Sequence, residues 1–223
     1  RYKAPERLHL IGNGVDERRF DLALHAGARE AKRAELGLGA DELVVGMVTR
    51  LVREKGCIDF FQMAARIAAR WTKVRFLMVG IPEGADQSDG VDPAQLMREY
   101  NVADRCIALE HRTDMPELYA AMDILTLPSY REGIPRSLIE GGAMGLPVVA
   151  SDIRGCREVV AAGETGLLFP LKDVGAFATA IERLLGAGDL RREMGAQGCR
   201  RVMAHYTEER TTERVVNCYR RCL

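Results

Sequence analysis

The feature that most constrains this chain is an alternation of two periods. Short apolar runs occur at Leu43–Val48, Val74–Val79, Cys106–Leu109, Asp123–Pro128, Pro147–Ala150 and Gly166–Phe169. Stretches of helical periodicity separate them. A run that is apolar at nearly every position, rather than at alternate ones, suits a strand buried on both faces. Strands that alternate with helices form βαβ units, because parallel neighbours need a crossover connection. The expected fold is therefore α/β: a doubly wound parallel sheet of about six strands with helices on both faces. Helices are expected at Ala28–Glu35, Cys57–Ala69, Pro93–Tyr100, Asp114–Met122, Pro135–Met144, after Gly155, and at Asp173–Leu185, Leu190–His205 and Glu208–Arg221. Asp114 reads as the N-cap of its helix, and Pro135 as the first residue of another. Leu8–Ile11 reads as a short strand and Glu83–Asp92 as a polar loop.

Composition excludes several classes of function. The 223 residues carry 32 basic and 32 acidic side chains. A net charge of zero argues against general nucleic-acid binding, which needs a basic surface to displace counterions. It leaves room for a local basic pocket. No apolar run reaches the length of a membrane span, and Arg1–Glu6 lacks the apolar core of a signal peptide. The six cysteines are scattered, and Cys218 and Cys222, at i, i+4, have no His or acidic residue at matching spacing. They read as small residues of a reduced cytoplasmic protein, not as metal ligands. His9, His25, His111 and His205 form no cluster.

In a doubly wound sheet ligands bind at the carboxyl ends of the strands. Two of those ends carry chemistry. Thr49-Arg50-Leu51-Val52-Arg53-Glu54-Lys55-Gly56 places three cations in one loop. Arg50 and Lys55 suit phosphate oxygens by position, and Arg53 reads as a solvated surface residue. Ser129-Tyr130-Arg131-Glu132-Gly133-Ile134-Pro135 leads into a helix whose first amides form an anion site. Gly133 lets a ligand approach the backbone there. Glu140 lies on one helical face with Arg136 and Ser137, and Glu132 lies at the lip of the anion site. Two carboxylates beside an anion site suit a ligand that has hydroxyls as well as phosphate. The same loop also reads as an ordinary helix start with solvated acids. A face of Leu138, Gly142 and Gly145 is expected to press on the sheet.

These residues resemble a known family. Glu132-Gly133-x-Pro135-x4-Glu140 resembles the E-x7-E motif of the family 4 retaining glycosyltransferases of the GT-B fold. Asn13-Gly14-Val15-Asp16 with Phe20 is similar to the family's interdomain segment, and Gly46-x3-Arg50-Leu51-Val52-x-Glu54-Lys55-Gly56 to its donor-phosphate loop. Gly145-x-Pro147-Val148-Val149-Ala150, Gly155-x2-Glu158 and Gly163-x-Thr165-Gly166 continue the likeness. It spans nearly the whole chain.

The resemblance implies one Rossmann-like half of a GT-B enzyme, binding a nucleotide diphosphate sugar, UDP- or GDP-linked, without a metal or other cofactor. Arg50 and Lys55 would hold the diphosphate, and Glu132 the sugar hydroxyls. Glu140 would hold the ribose diol, and the Gly133 and Ile134 amides, beside Pro135, the sugar or distal phosphate. Arg112-Thr113-Asp114-Met115 would pass beside the base, largely through backbone groups. Arg50, Lys55 and Glu132 are the implied catalytic residues. The organisation implied is an interdomain segment and first helix at 1–40, the donor domain at 41–206, and at 207–223 a helix that packs on an absent N-terminal acceptor-binding domain. Any peripheral membrane association would belong to the full-length protein. Val215, Tyr219 and Cys222, with Val216, would then form an exposed apolar stripe. Two departures stand out: Thr49 where glycine is usual, and Gly141-Gly142 where the family has Ala-Met, which weakens helix propensity by roughly 1 kcal/mol per glycine. An epimerase of related fold and a non-catalytic nucleotide-binding module are the alternatives. A dinucleotide oxidoreductase is excluded by the missing G-x-G-x-x-G after the first strand.

Overall fold

A computed structural model describes residues 11–25, 27–80, 89–110 and 112–222. The expected strand at Leu8–Ile11, except Ile11 itself, and most of the Glu83–Asp92 loop lie outside them, as does His111. Six strands form one sheet: β1 (Leu43–Val48), β2 (Val74–Val79), β3 (Cys106–Leu109), β4 (Ile124–Leu127), β5 (Val148–Ser151) and β6 (Gly166–Phe169). Their order is β3-β2-β1-β4-β5-β6, and every pairing is parallel. Burial explains why the strands read as continuous apolar runs. Val45 and Met47 face one core, with Phe60, Phe61 and Ile67 of α2 (Cys57–Ala68) and Phe177 and Ile181 of α7 (Val174–Leu185). Val44 faces the other core, with Leu118 and Tyr119 of α4 (Met115–Ala121) and Leu138 and Ile139 of α5 (Arg136–Ala143). Side chains alternate between faces, and both faces are covered.

The remaining helices are α1 (Ala28–Glu35), α3 (Pro93–Glu99), α6 (Arg154–Val159), α8 (Gly188–His205) and α9 (Glu208–Cys222). Asp92 and Asp173 cap α3 and α7, each accepting a backbone N–H at 2.8 Å. Helix α1 packs on α4 through its cations. Arg29 donates to the Ala120 and Met122 carbonyls and Arg33 to that of Ala121, which places positive charge at the negative end of the α4 dipole. Val15 pairs with Thr207, and Val15 and Phe20 are buried in the second core.

Several local expectations need correction. Asp114 stands at the N-cap position of α4 as expected, but its side chain gives no capping hydrogen bond, because Arg112 and Lys32 take both its oxygens. Pro135 stands one residue before α5 with φ −73° and ψ 115°, so it is extended and not the first helical residue. Strands β4 and β5 exclude Pro128 and Pro147, which have no N–H to give a ladder. Gly142 and Gly145 do not face the sheet. A Cβ on Gly142 would lie 2.9 Å from Val202 of α8, and Gly145 ends its helix at φ 73°. Gly141 is the residue turned toward the sheet, where a Cβ would meet Leu125 at 2.2 Å. The two glycines that depart from the family pattern thus let β4 and α8 approach α5. On α9, Tyr219 is 68% and Val216 39% exposed, and Val215 is half-buried; the side chain of Cys222 lies outside the description. No helix among the described residues is long and apolar enough to cross a membrane.

Candidate functional site

The sheet order reverses between β1 and β4. The chain leaves β1 for β2 on one side and later enters β4 on the other, and the loops after β1 and β4 lead to helices on opposite faces of the sheet, α2 and α5. A crevice at such a point is where doubly wound folds bind ligands. A cleft of about 460 Å³ opens there, with Val48 and Val79 at its floor. Arg50 and Lys55 line it from the β1 loop, and Arg112 and Met115 from the β3–α4 connection. Glu132 and Pro135 line it from the β4 loop, and Arg136, Ser137 and Glu140 from α5. Gly133 and Ile134 lie in an adjoining cleft of about 440 Å³ with Gly12, Asn13, Arg154 and Glu158, and Glu132 borders both.

The loops are held together by close packing. Gly56 ends a short helical turn, Arg53–Lys55, at φ 73°. A Cβ on Gly56 would lie 2.1 Å from the Pro128 carbonyl oxygen, so only glycine lets the β1 and β4 loops touch. The amide of Tyr130 donates to the Glu54 carbonyl at 2.9 Å, and Arg131 pairs with the Glu54 carboxylate at 2.8 Å. Lys55 Nζ donates to Glu132 Oε1 at 2.7 Å, and both side chains are 13% exposed. From the other side, a Cβ on Gly155 would lie 2.4 Å from the Gly133 oxygen. Asn13 Nδ2 donates to the Ile134 carbonyl at 2.6 Å.

The two glutamates sit in different surroundings. Glu132 is balanced by Lys55. Glu140 is held by a neutral donor, the hydroxyl of the fully buried Tyr119, 3.0 Å from Oε2. Arg136 Nε stands 4.0 Å from the other oxygen and is itself well exposed. Burial pushes the Glu140 carboxyl above the usual carboxylate range, and the Tyr119 bond only partly offsets it. Arg112 forks onto Asp114 at 2.7 and 2.6 Å and reaches Glu35 at 3.0 Å, while Lys32 also bonds Asp114 at 2.6 Å. The Arg112 guanidinium holds the Asp114 carboxyl well below its ordinary range. The Arg112 charge is therefore matched by acids at the cleft wall. Tyr119, Lys32 and Glu35 had no sequence signal, since each acts through a partner distant in the chain.

Comparison with known proteins identifies the family. A model described as glycosyl transferases group 1 matches residues 28–201. The chain belongs to the glycosyl transferases group 1 family. A D-inositol 3-phosphate glycosyltransferase of Mycobacterium tuberculosis is 33% identical over 98% of this chain, which spans 45% of that relative's length. Sucrose-phosphate synthase from Thermosynechococcus elongatus is 32% identical, with a TM-score of 0.84 over 96% of this chain and 52% of that one. The Anabaena protein HepE, solved with UDP-glucose, shares the fold at 22% identity and a TM-score of 0.82, covering 92% of this chain and 55% of that one. A crystallised C-terminal domain of a group 1 glycosyl transferase from Francisella tularensis matches along its whole length, with 87% of this chain covered, 21% identity and a TM-score of 0.76. This group 1 chain thus spans about half the length of the curated relatives it matches, and its six-stranded sheet has the GT-B glycosyltransferase architecture.

Proposed function

We propose that the chain is the donor-binding half of a retaining glycosyltransferase of family 4, holding a UDP- or GDP-linked sugar at the β1/β4 crevice. One observation carries this reading. Arg50, Lys55, Glu132 and Glu140 line a single cleft beside the start of α5, although they come from three different segments. Cations and helix amides suit a diphosphate, and carboxylates suit the hydroxyls at its two ends. The solved complex of HepE with UDP-glucose, a protein of the same fold, supports a nucleotide sugar as ligand.

In this reading Arg50 and Lys55 hold the diphosphate and stabilise the charge that develops there as the sugar leaves. Glu132 accepts hydrogen bonds from the sugar, and Glu140 from the ribose diol. The Gly133 and Ile134 amides, reached through the adjoining cleft, take the sugar end. Arg112 and Met115 flank the base, with Arg112 locked to Asp114 so that backbone groups do the recognition. The phosphates are neutralised by cations and amides without a metal ion. Residues 41–206 are the donor domain, 1–40 lead into it, and 207–223 meet an N-terminal acceptor-binding domain. The acceptor hydroxyl then comes from that other half, and a cleft enzyme of this kind needs both halves to exclude water. A ligand that binds only the folded state raises the melting temperature by mass action. UDP, GDP and their hexose conjugates are the panel to use. At least one should raise the melting temperature, and no shift with any of them overturns the reading.

A further inference from the structure

Three residues meet on the side of the β4 loop turned away from the cleft. Tyr130 lies two positions before Glu132. Its hydroxyl donates to Asp59 Oδ1, in the first turn of α2, at 3.1 Å. Asp59 is 8% exposed, and its second oxygen has no hydrogen-bond partner among the described residues. Lys172, between β6 and α7, holds its ammonium 4.9 Å from the centre of the Tyr130 ring. Lys172 does so at φ 64°, in the left-handed region that only glycine occupies without strain.

Each of these features costs stability. A buried carboxylate with one hydrogen bond is expensive, and burial pushes the Asp59 carboxyl upward while the Tyr130 hydrogen bond and then Lys172 partly pull it back. A lysine at positive φ is strained. Phenylalanine in place of Tyr130 would fill the same space with no hydroxyl to satisfy. The Tyr130 hydroxyl is pushed up to about 12, chiefly by burial, so it remains a donor at any working pH. Costs concentrated at one point mark a place where geometry matters more than stability.

We propose that Asp59, Tyr130 and Lys172 are positioning residues that fix the 129–135 loop and so set where Glu132 and the Gly133 amide meet the sugar end of the donor. The proposal deepens the donor reading above and rests on it for the identity of the ligand. The clamp acts from the α2 and α7 side. Lys55 and Glu54 hold the same loop from the cleft side, at Glu132 and Arg131. The loop that carries the recognition groups is thereby held on both sides without any side chain of the clamp entering the cleft.

The test uses Tyr130→Phe and Lys172→Gly, with Lys172→Arg as the conservative partner. Amide hydrogen exchange is followed at residues 131–134. Calorimetry compares UDP with UDP-glucose. Lys172→Gly relieves the backbone, so its melting temperature should equal or exceed that of the parent. Exchange at 131–134 should nonetheless rise about tenfold in both Tyr130→Phe and Lys172→Gly. Affinity for UDP-glucose should fall about tenfold, with UDP changed less than about twofold. Lys172→Arg should restore both readouts. Unchanged exchange at 131–134 in both variants overturns the clamp, and so does an equal loss for UDP and UDP-glucose, which marks a general packing role. If the unsubstituted chain binds neither probe, the donor reading fails, while the exchange comparison still decides whether the clamp fixes the loop.

Discussion

Lys55 Nζ lies 2.7 Å from Glu132 Oε1, so the cation assigned to the phosphates pairs with the carboxylate assigned to the sugar. The pair joins the two loops of the crevice and presets the spacing of their charged ends. It also competes with the ligand. A phosphate that recruits Lys55 must share it with Glu132, and a sugar hydroxyl can then satisfy the carboxylate. Glu132→Gln should therefore act in opposite directions on two ligands. Freed of its partner, Lys55 should bind UDP more tightly. UDP-glucose should bind more weakly, because a charge-assisted bond to the sugar is lost. Calorimetry with both ligands decides the matter. Equal weakening of the two would mean that Glu132 serves the nucleotide and not the sugar.

The phosphate site makes a simpler prediction. Arg50→Ala and Lys55→Ala should each weaken nucleoside diphosphate binding by about 1.5–3 kcal/mol, the range for hydrogen bonds to charged groups. Uridine itself should bind nearly as before. Equal losses for uridine and UDP would remove both cations from the phosphate site.

The strands were legible because burial on both faces leaves a period-free apolar signal, as in Leu43–Val48, and this signal does not depend on the rest of the molecule. The ends were less so. Pro128 and Pro147 are apolar yet lie outside the strands, since hydrophobicity says nothing about a missing N–H. Glu132 and Glu140 were visible through their spacing around a helix start. Their partners were not, because Lys55–Glu132 spans 77 positions and Tyr119–Glu140 spans 21. Asp114 holds the N-cap position of α4, but its side chain does not bond the helix amides, for a related reason. An acid before an apolar run is the usual capping signal, but Arg112 and Lys32 outbid the backbone amides for its oxygens.

Glu140 gives a prediction about pH. Burial raises its folded pKa above the ordinary 4.5. A group so raised contributes its full stability below pH 4.5 and loses it as pH rises through the folded value. The parent should therefore lose melting temperature over that window. Glu140→Gln should not share this loss, and its advantage over the parent should grow from pH 4.5 toward neutrality. The same substitution should weaken UDP binding by about 1.5–3 kcal/mol through the ribose, an opposition of stability and binding expected at a functional residue. A Gln variant less stable than the parent at pH 7 would show that the carboxylate is well satisfied in the folded state.

The exposed part of α9 is predicted to be silent in this chain. Val216→Ser and Tyr219→Ser change side chains that are 39% and 68% exposed. Substitutions of this kind stay within about 0.5 kcal/mol. Denaturant unfolding measures it directly. A loss above about 1 kcal/mol from Tyr219→Ser would mean that the stripe is covered within this chain or by a second copy.

Two glycines separate the framework from the site most sharply. A Cβ on Gly195 of α8 would lie 1.9 Å from the Gly145 carbonyl oxygen, a backbone atom that cannot swing aside. Gly195→Ala must push α8 off the end of α5, and overpacking of this kind costs about 1–3 kcal/mol or more. For a chain of this size that lowers the melting temperature by roughly 2–4 °C per kcal/mol. Gly133 has nothing within 4 Å of its Cβ position, and its φ is outside the left-handed region. Gly133→Ala should therefore leave the melting temperature almost unchanged. The added methyl group stands where the sugar end of the donor must approach the backbone, so UDP-glucose should bind about tenfold more weakly while UDP is little affected. Thermal unfolding with calorimetry on the two variants checks the pair. If Gly133→Ala destabilised the fold as much as Gly195→Ala, Gly133 would be part of the framework, and the space beside it would have no claim to the sugar.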